Sequence, residues 1–266
     1  MLRSIYNHFH PLACGNKYSL FQRGVFCTAR KLQRMSSDDI LNGLDEIQAK
    51  LMQEECILVD KDDNNIGFAS KKTCHLLENI NKGMLHRAFS VFLFNTKGEL
   101  LIQQRASEKI TFPDHFTNTC CSHPLNIPNE LDENEAIGVK RAAQRKLKHE
   151  LGIEPEQVPL QDFHFLTRML YKAENIPKDN KWGEYEMDYI LFIQRDVDVA
   201  INPNEVKSYN YVSSQELKKL IDTADSQGIL LTPWFKLIAE SFLYQWWNKL
   251  DHIETQADRE SIHRMI

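Results

Sequence analysis

The apolar positions of this chain follow two periods, and the switches between them mark its elements. In "DENEAIGVKRAAQRKLKHELGI" the residues Ala136, Val139, Ala143, Leu147 and Leu151 recur on one face of a helix. Gly152 follows the last of them and is placed to cap it. Two more helices are predicted from "SSQELKKLIDTADSQG" and "TPWFKLIAESFLYQWWNKL", the second with Pro233 in its first turn. "DEIQAKLMQEECILVD" predicts a helix that gives way to the strand "CILVD", and "DKDDNNIG" (Asp60 to Gly67) a turn between strands. "HRAFSVFLFNTKGELLIQQRA" predicts a hairpin of two apolar strands joined at Asn95-Thr-Lys-Gly98. "FHFLTRMLYKAE" and "EMDYILFIQRDV" read as further strands. Helices and strands mix without strict alternation, which predicts an α/β (α+β) sandwich with a mixed sheet.

The first 35 residues stand apart. They hold Arg3, Lys17, Arg23, Arg30, Lys31 and Arg34 but no acidic residue, with aromatics and leucines between. This is the composition of an amphipathic transit peptide, without the continuous apolar core of a secretory signal. A disordered tail has the same composition. Residues 1–40 are therefore set aside as a leader, and 41–266 are expected to form one domain. The full-length chain is expected in mitochondria, and a product started at Met35 in the cytoplasm or in peroxisomes.

Composition changes the picture only by exclusion. A net charge of −5 argues against a nucleic-acid partner, which would usually face a basic excess. The longest apolar run, "AFSVFLF", has the length of a strand, so no membrane span is expected. The six cysteines include no CxxC pair, and a disulfide between the adjacent Cys120 and Cys121 would be strained. Free thiols in a reduced compartment are expected.

The candidate chemistry lies in "FTNTCCSHPL" and "WGEYEMDY". On an extended chain Glu184 and Glu186 share a face. Paired carboxylates repel unless a cation or a shared proton relieves them. A solvated strand edge would show the same pattern. His75, His86 and His123 stand beside turns or strand starts, and three imidazoles with two carboxylates suit a divalent cation. Their spacing contains no compact H-x-x-x-H signal, so the histidines alone do not establish a metal site. Cys121 and His123 can also be read as a thiol nucleophile with its base. A zinc deaminase is disfavoured, because no P-C-x-x-C accompanies an H-x-E.

"AAQRKLKHELGI" resembles the helical core of a Nudix box, roughly A-x-R-E-L-x-E-E-x-G. Only Glu150 of its acidic places survives; Lys146 and His149 occupy the others. One carboxylate can still hold a Mg²⁺ that bridges diphosphate oxygens, but it is poorly equipped to assemble a hydrolytic metal cluster. Together with "TNTCCSHP", "WGEYEMDY", "HRAFSVFLFN" and "TPWFK", this stretch resembles the type 1 isopentenyl-diphosphate Δ-isomerases of animals. The resemblance runs from about residue 50 to the C-terminus, with five motifs in the family's order.

The resemblance implies a Nudix-like α/β/α sandwich that interconverts isopentenyl and dimethylallyl diphosphate. It matches Cys121 and Glu186 to the catalytic cysteine and glutamate. It matches Tyr171 and Trp234 to an active-site tyrosine and tryptophan. His75, His86, His123, Glu184 and Glu186 match the ligands of an internal divalent metal (Zn²⁺, Mn²⁺ or Mg²⁺), and Glu150 the residue that helps hold Mg²⁺ on the diphosphate. Lys71, Arg105, Lys109 and Ser122 match substrate contacts. It implies a monomer. Tyr185 stands where close animal relatives usually have histidine, and should point away from Glu184 and Glu186. The terminal "HRMI" resembles the relatives' peroxisomal tripeptide with one isoleucine added.

Moving an unactivated double bond needs a proton added at C4, a proton removed from C2, and exclusion of water from the cation between. Glu186, with Tyr171 nearby, is the expected proton donor. Cys121 is expected on the other face as the base or the second acid; a thiolate there requires a lowered pKa, which the cationic diphosphate pocket can supply. The alternatives are a Nudix-type diphosphate hydrolase and a metal-binding protein without catalysis.

Overall fold

A computed structural model describes residues 39–174 and 181–266, so residues 1–38 of the expected leader lie outside the described residues. Helix α1 (Glu46–Leu51) opens this part, capped by Asp45, whose carboxylate accepts from the N–H groups of Ile47 and Gln48. Strands β1 (Glu55–Val59) and β2 (Asn65–Ser70) form an antiparallel pair around the Asp60–Asn64 turn. Two short helices follow, α2 (Lys71–His75) and α3 (Leu77–Ile80). Strands β3 (His86–Phe94), β4 (Leu100–Arg105), β5 (Phe116–Thr117) and β6 (Cys120–Ser122) lead to the long helix α4 (Ile137–Leu151). Then come β7 (His164–Glu174), β8 (Gly183–Gln194), β9 (Val206–Val212) and α5 (Ser214–Gln227). Helix α6 (Pro233–Ile238) runs through a π-helical turn into α7 (Tyr244–Trp247), and β10 (Ile262–Met265) ends the chain.

The strands join in one mixed sheet with the path β10-β7-β8-β3-β1-β2, and β4, β5, β6 and β9 branch from it. Alternation along β8 explains the layers. Tyr185, Met187, Tyr189, Leu191 and Ile193 pack in one core with Ala142, Ala143, Leu147 and Leu151 of α4. Ile190 and Phe192, on the other face, pack with Trp234, Phe235, Ile238 and Trp246. Helices therefore cover both faces, as the α/β/α reading expects. The same parity turns Tyr185 away from Glu184 and Glu186. Gly152 ends α4 at φ +65°, where a Cβ would stand 2.4 Å from Ala200 O.

The hairpin expected around Asn95–Gly98 is only a turn. Gly98 N–H reaches Asn95 O at 3.0 Å, but β3 and β4 pair at a single position, Phe94↔Leu100. Beyond it they diverge. β3 instead runs parallel to β8 along its whole length, and β4 pairs with β9. The other edge of β3 is shared by β6 and, at His86, by β1. All nine residues of β3 are buried, which fits a strand covered on both faces and both edges better than a hairpin arm. The divergence leaves room for β6 and its loop. β10, which hydropathy did not signal, lies parallel to β7 and places Met265 beside Tyr171. Cys56, Cys74, Cys120 and Cys121 are free thiols. No helix among the described residues is long and apolar enough to cross a membrane.

Candidate active site

Three imidazoles meet at one carboxylate. His75 ends α2, His86 begins β3 and His123 follows β6, so elements far apart in sequence bring them together. Their ring centroids lie 4.8–5.0 Å apart. Their Nε2 atoms stand 3.9, 3.3 and 2.8 Å from Glu186 Oε1. His75 Nδ1 lies 2.9 Å from Lys71 O, which fixes the N–H there and leaves the Nε2 lone pair facing inward. Burial pushes the His75 pKa well below its ordinary value and that of His123 down to about 3, so both rings are neutral. Burial opposes charge on Glu186 too, but His123 and His86 hold it well below the carboxylate range. Both nitrogens of His86 and Nδ1 of His123 are buried without a hydrogen-bond partner. One donor atom from each of these four residues lies within 4.8 Å of the others. Orphaned imidazole nitrogens around an ionised carboxylate are the donor set of a divalent metal.

Glu184 is placed differently from the other expected ligands. Its carboxylate accepts from Tyr171 Oη at 2.9 Å and falls outside the four-residue group. The Tyr171 hydroxyl also touches Glu186 and so bridges the two carboxylates. Burial, with Glu186 beside it, pushes Glu184 up to about 8. Of the two carboxyls, Glu184 is thus the one favoured to carry a proton at rest, while His123 and His86 favour the ionised form of Glu186.

Cys121 faces these groups from β6. Its Sγ donates to Asn118 Oδ1 at 3.0 Å and accepts from Trp234 Nε1 at 3.1 Å. Trp234 also lies 6.1 Å, centroid to centroid, from the Tyr171 ring. The resting site does not supply the lowered thiol pKa that a base role requires. Burial pushes Cys121 up to about 12, and the bonds from Thr117 and Trp234 and the charge of Arg105 only partly offset it. The resting group is a thiol. His123 turns its Nε2 to Glu186, so the Cys–His nucleophile reading finds no hydrogen bond to stand on. Cys120, one residue earlier, is fully buried in the core shared with α4.

The third wall is cationic. Lys71, Arg105, Lys109 and Lys146 line the same cavity, with Ser122, Glu150, Tyr171, Trp234 and the carboxylates of β8. Arg105 is pinned by two carbonyls, Phe112 O at 2.9 Å and Thr111 O at 2.7 Å, and lies 5.9 Å from the Trp234 ring. Phe112 holds a left-handed φ of +49° to present its carbonyl, a strained backbone beside the cavity. Lys109 Nζ pairs with Glu205 at 2.7 Å, yet burial and the neighbouring cations bring its pKa down to about 8.

The family model for the NUDIX domain matches residues 84–235. Over 222 residues the chain is 59% identical to isopentenyl-diphosphate Delta-isomerase 1 of Mesocricetus auratus, covering 84% of this chain and 96% of that one. The chain belongs to the isopentenyl-diphosphate Δ-isomerase family. It is 58% identical to the isopentenyl-diphosphate delta-isomerase of Gibberella zeae, with 85% of this chain and 88% of that one covered. Against isopentenyl-diphosphate Delta-isomerase II, chloroplastic, of Arabidopsis thaliana the values are 53%, 84% and 80%. Among solved structures, a protein of Deinococcus radiodurans superposes with a TM-score of 0.50 at 15% identity, over 71% of this chain and 99% of that one, and shows the fold alone.

In this isomerase-family chain the Nudix helix α4 has a changed electrostatic character. Lys146 Nζ lies 3.2 Å from Glu150 Oε1 and 3.8 Å from Glu205 Oε2. Glu150 also accepts from Gln103 Nε2 at 3.0 Å. An ammonium therefore stands between two carboxylates. Sequence reasoning noted Lys146 only as a lost acid. It missed Glu205 and Thr111, which lie on loops whose pattern signals only turns, and Asn118, which stands inside "FTNTCCSHPL" beside residues with more obvious chemistry.

Proposed function

We propose that the chain interconverts isopentenyl diphosphate and dimethylallyl diphosphate. The observation that carries this reading is a pair of proton-bearing groups facing one buried cavity: Cys121 on β6, and the Tyr171-bridged Glu184 and Glu186 on β8. These strands flank β3. An unactivated alkene requires that arrangement. Adding a proton at C4 leaves a tertiary cationic centre at C3, and losing one from C2 restores the double bond. Tyr171 Oη and the Glu184 carboxyl hold the proton supply at one wall, and Cys121 Sγ faces the carbon skeleton from the other. The reaction is reversible, and the wall that takes a proton must start without one: the ionised Glu186 can take the C2 proton when the Cys121 thiol gives its own to C4, whereas Glu184 can give one only once Cys121 has lost its proton. The Trp234 indole contacts both walls, and its π face attracts a desolvated cation by about 2 kcal/mol.

Lys71, Arg105, Lys109 and Ser122 would grip the diphosphate through charge-assisted hydrogen bonds. His75, His86, His123 and Glu186 would hold an internal Zn²⁺, Mn²⁺ or Mg²⁺, with Glu184 beside them, and Glu150 would help hold Mg²⁺ on the diphosphate. When bound, these ions offset diphosphate charge and polarise the groups attached to them. We read the chain as a monomer. Residues 1–36 act as a mitochondrial address on their basic, acid-free composition, which a fluorescent fusion tests.

The deciding experiment is incubation with isopentenyl diphosphate in deuterated water, followed by NMR. Deuterium in a methyl group of dimethylallyl diphosphate is the expected result. Unchanged substrate with metal-loaded protein would overturn the reading.

A further inference from the structure

We infer that Asn118 is a positioning residue for the isomerisation, holding the Cys121 thiol and the Trp234 indole on one shared acceptor; the inference rests on the isomerase reading above. Three donors converge on its Oδ1: Cys121 Sγ at 3.0 Å, Trp234 Nε1 at 3.2 Å and Thr117 Oγ1 at 3.0 Å. An amide could be turned over, but here the other end decides its orientation. Asn118 Nδ2 donates to Val91 O at 3.0 Å and Cys120 O at 3.2 Å. Carbonyls accept and cannot donate, so the nitrogen must face them and the oxygen must face the cavity wall. Asn118 is fully buried, so no water substitutes for either half.

The consequence lies in the direction of one hydrogen. A thiol hydrogen is free to rotate about its C–S bond. The other oxygen bonded to this sulfur, Thr117 Oγ1, stands at 3.5 Å, so Asn118 Oδ1 is the nearer acceptor. With the S–H directed at Asn118, the sulfur lone pairs face the indole N–H and the cavity. The same oxygen restrains the Trp234 ring, whose N–H divides between it and the sulfur. Asn118 thus sets two side chains that the carbocation would meet, without touching the substrate itself. A residue that only braces the β5–β6 turn would need its Nδ2 and not its Oδ1.

A double-mutant cycle separates these roles. Isopentenyl diphosphate turnover is measured by NMR for the wild type, Asn118→Ala, Cys121→Ser and the double variant. Asn118→Ala is expected to lower kcat on the order of 10- to 100-fold, as loss of a group that orients a functional side chain does, with KM within about twofold. In the Cys121→Ser background the same change should cost less than about threefold, because the group it acts through is already altered. Equal losses in both backgrounds, or an Asn118→Ala kcat near that of the wild type, would overturn the inference. If Asn118→Ala does not fold, Asn118→Ser enters the same cycle with the same expected non-additivity. A wild type that turns over nothing would sink the isomerase reading instead, so the two failures are distinct.

Discussion

Trp234 Nε1 donates to Cys121 Sγ at 3.1 Å, while Cys120 is fully buried against the opposite layer. One residue of strand parity thus gives two adjacent cysteines different surroundings. Cys121→Ala should cut isomerisation by about 10²–10⁴-fold, the usual cost of losing one group in acid–base work, with little change in Tm. Cys120→Ala should keep most activity and lose about 1 kcal/mol of stability. Steady-state kinetics and melting curves for both variants check this. An inactive Cys120→Ala beside an active Cys121→Ala would reverse the assignment.

The imidazole cluster makes a second prediction. His123→Ala removes one of four convergent donors and should lower bound divalent metal, measured by elemental analysis of the purified protein. Glu186→Gln should abolish turnover while the fold persists, because it removes the charge the three histidines surround. Full metal content in His123→Ala would show that the cluster is not the metal site.

Lys109 gives a pH dependence with a definite sign. Burial and the neighbouring Arg105, Lys71 and Lys146 cations bring its pKa down to about 8, despite Glu205. Below that pH it is an ammonium; above it the charge is lost, and with it part of the attraction for a diphosphate. KM for isopentenyl diphosphate should therefore rise above about pH 8, approaching tenfold per pH unit for a single required proton. Lys109→Met should start with a high KM and flatten the rise. A wild-type KM that stays level from pH 7 to 9.5 would remove Lys109 from diphosphate binding.

Much of this molecule is legible in its residues. The period of Val139, Ala143, Leu147 and Leu151 locates α4, and the alternation through Glu184, Tyr185 and Glu186 predicts both faces of β8. The failures have physical causes. A continuously apolar strand such as β3 carries no information about its partner, so Asn95–Gly98 suggested a hairpin where the sheet pairs β3 with β8. The ten histidines could not be sorted by spacing, because β3, β6 and α2 bring three of them together only in the fold. The raised thiol pKa of Cys121 was not legible, because nearby cations are visible in a sequence and desolvation is not.

The last prediction concerns the ammonium in the Nudix helix. Lys146 Nζ lies between Glu150 and Glu205, all three nearly or fully buried. In a hydrolase-type box this helix would offer carboxylates to metal ions; here a fixed monovalent cation holds that space. The wild type should accordingly release no phosphate from isopentenyl diphosphate with Mg²⁺, as a phosphate assay would show. Lys146→Met leaves the buried Glu150 without its cation, while Glu205 keeps Lys109 at 2.7 Å, and removing one partner of a buried ion pair costs about 3–5 kcal/mol. A divalent cation can occupy a site lined by such carboxylates. The melting temperature of Lys146→Met should therefore fall without added metal and recover in part with millimolar Mg²⁺, while the wild type shows a smaller Mg²⁺ response. Equal Mg²⁺ responses in the two proteins, or an unchanged Tm in the variant, would show that Lys146 does not stand in for a metal ion on this helix.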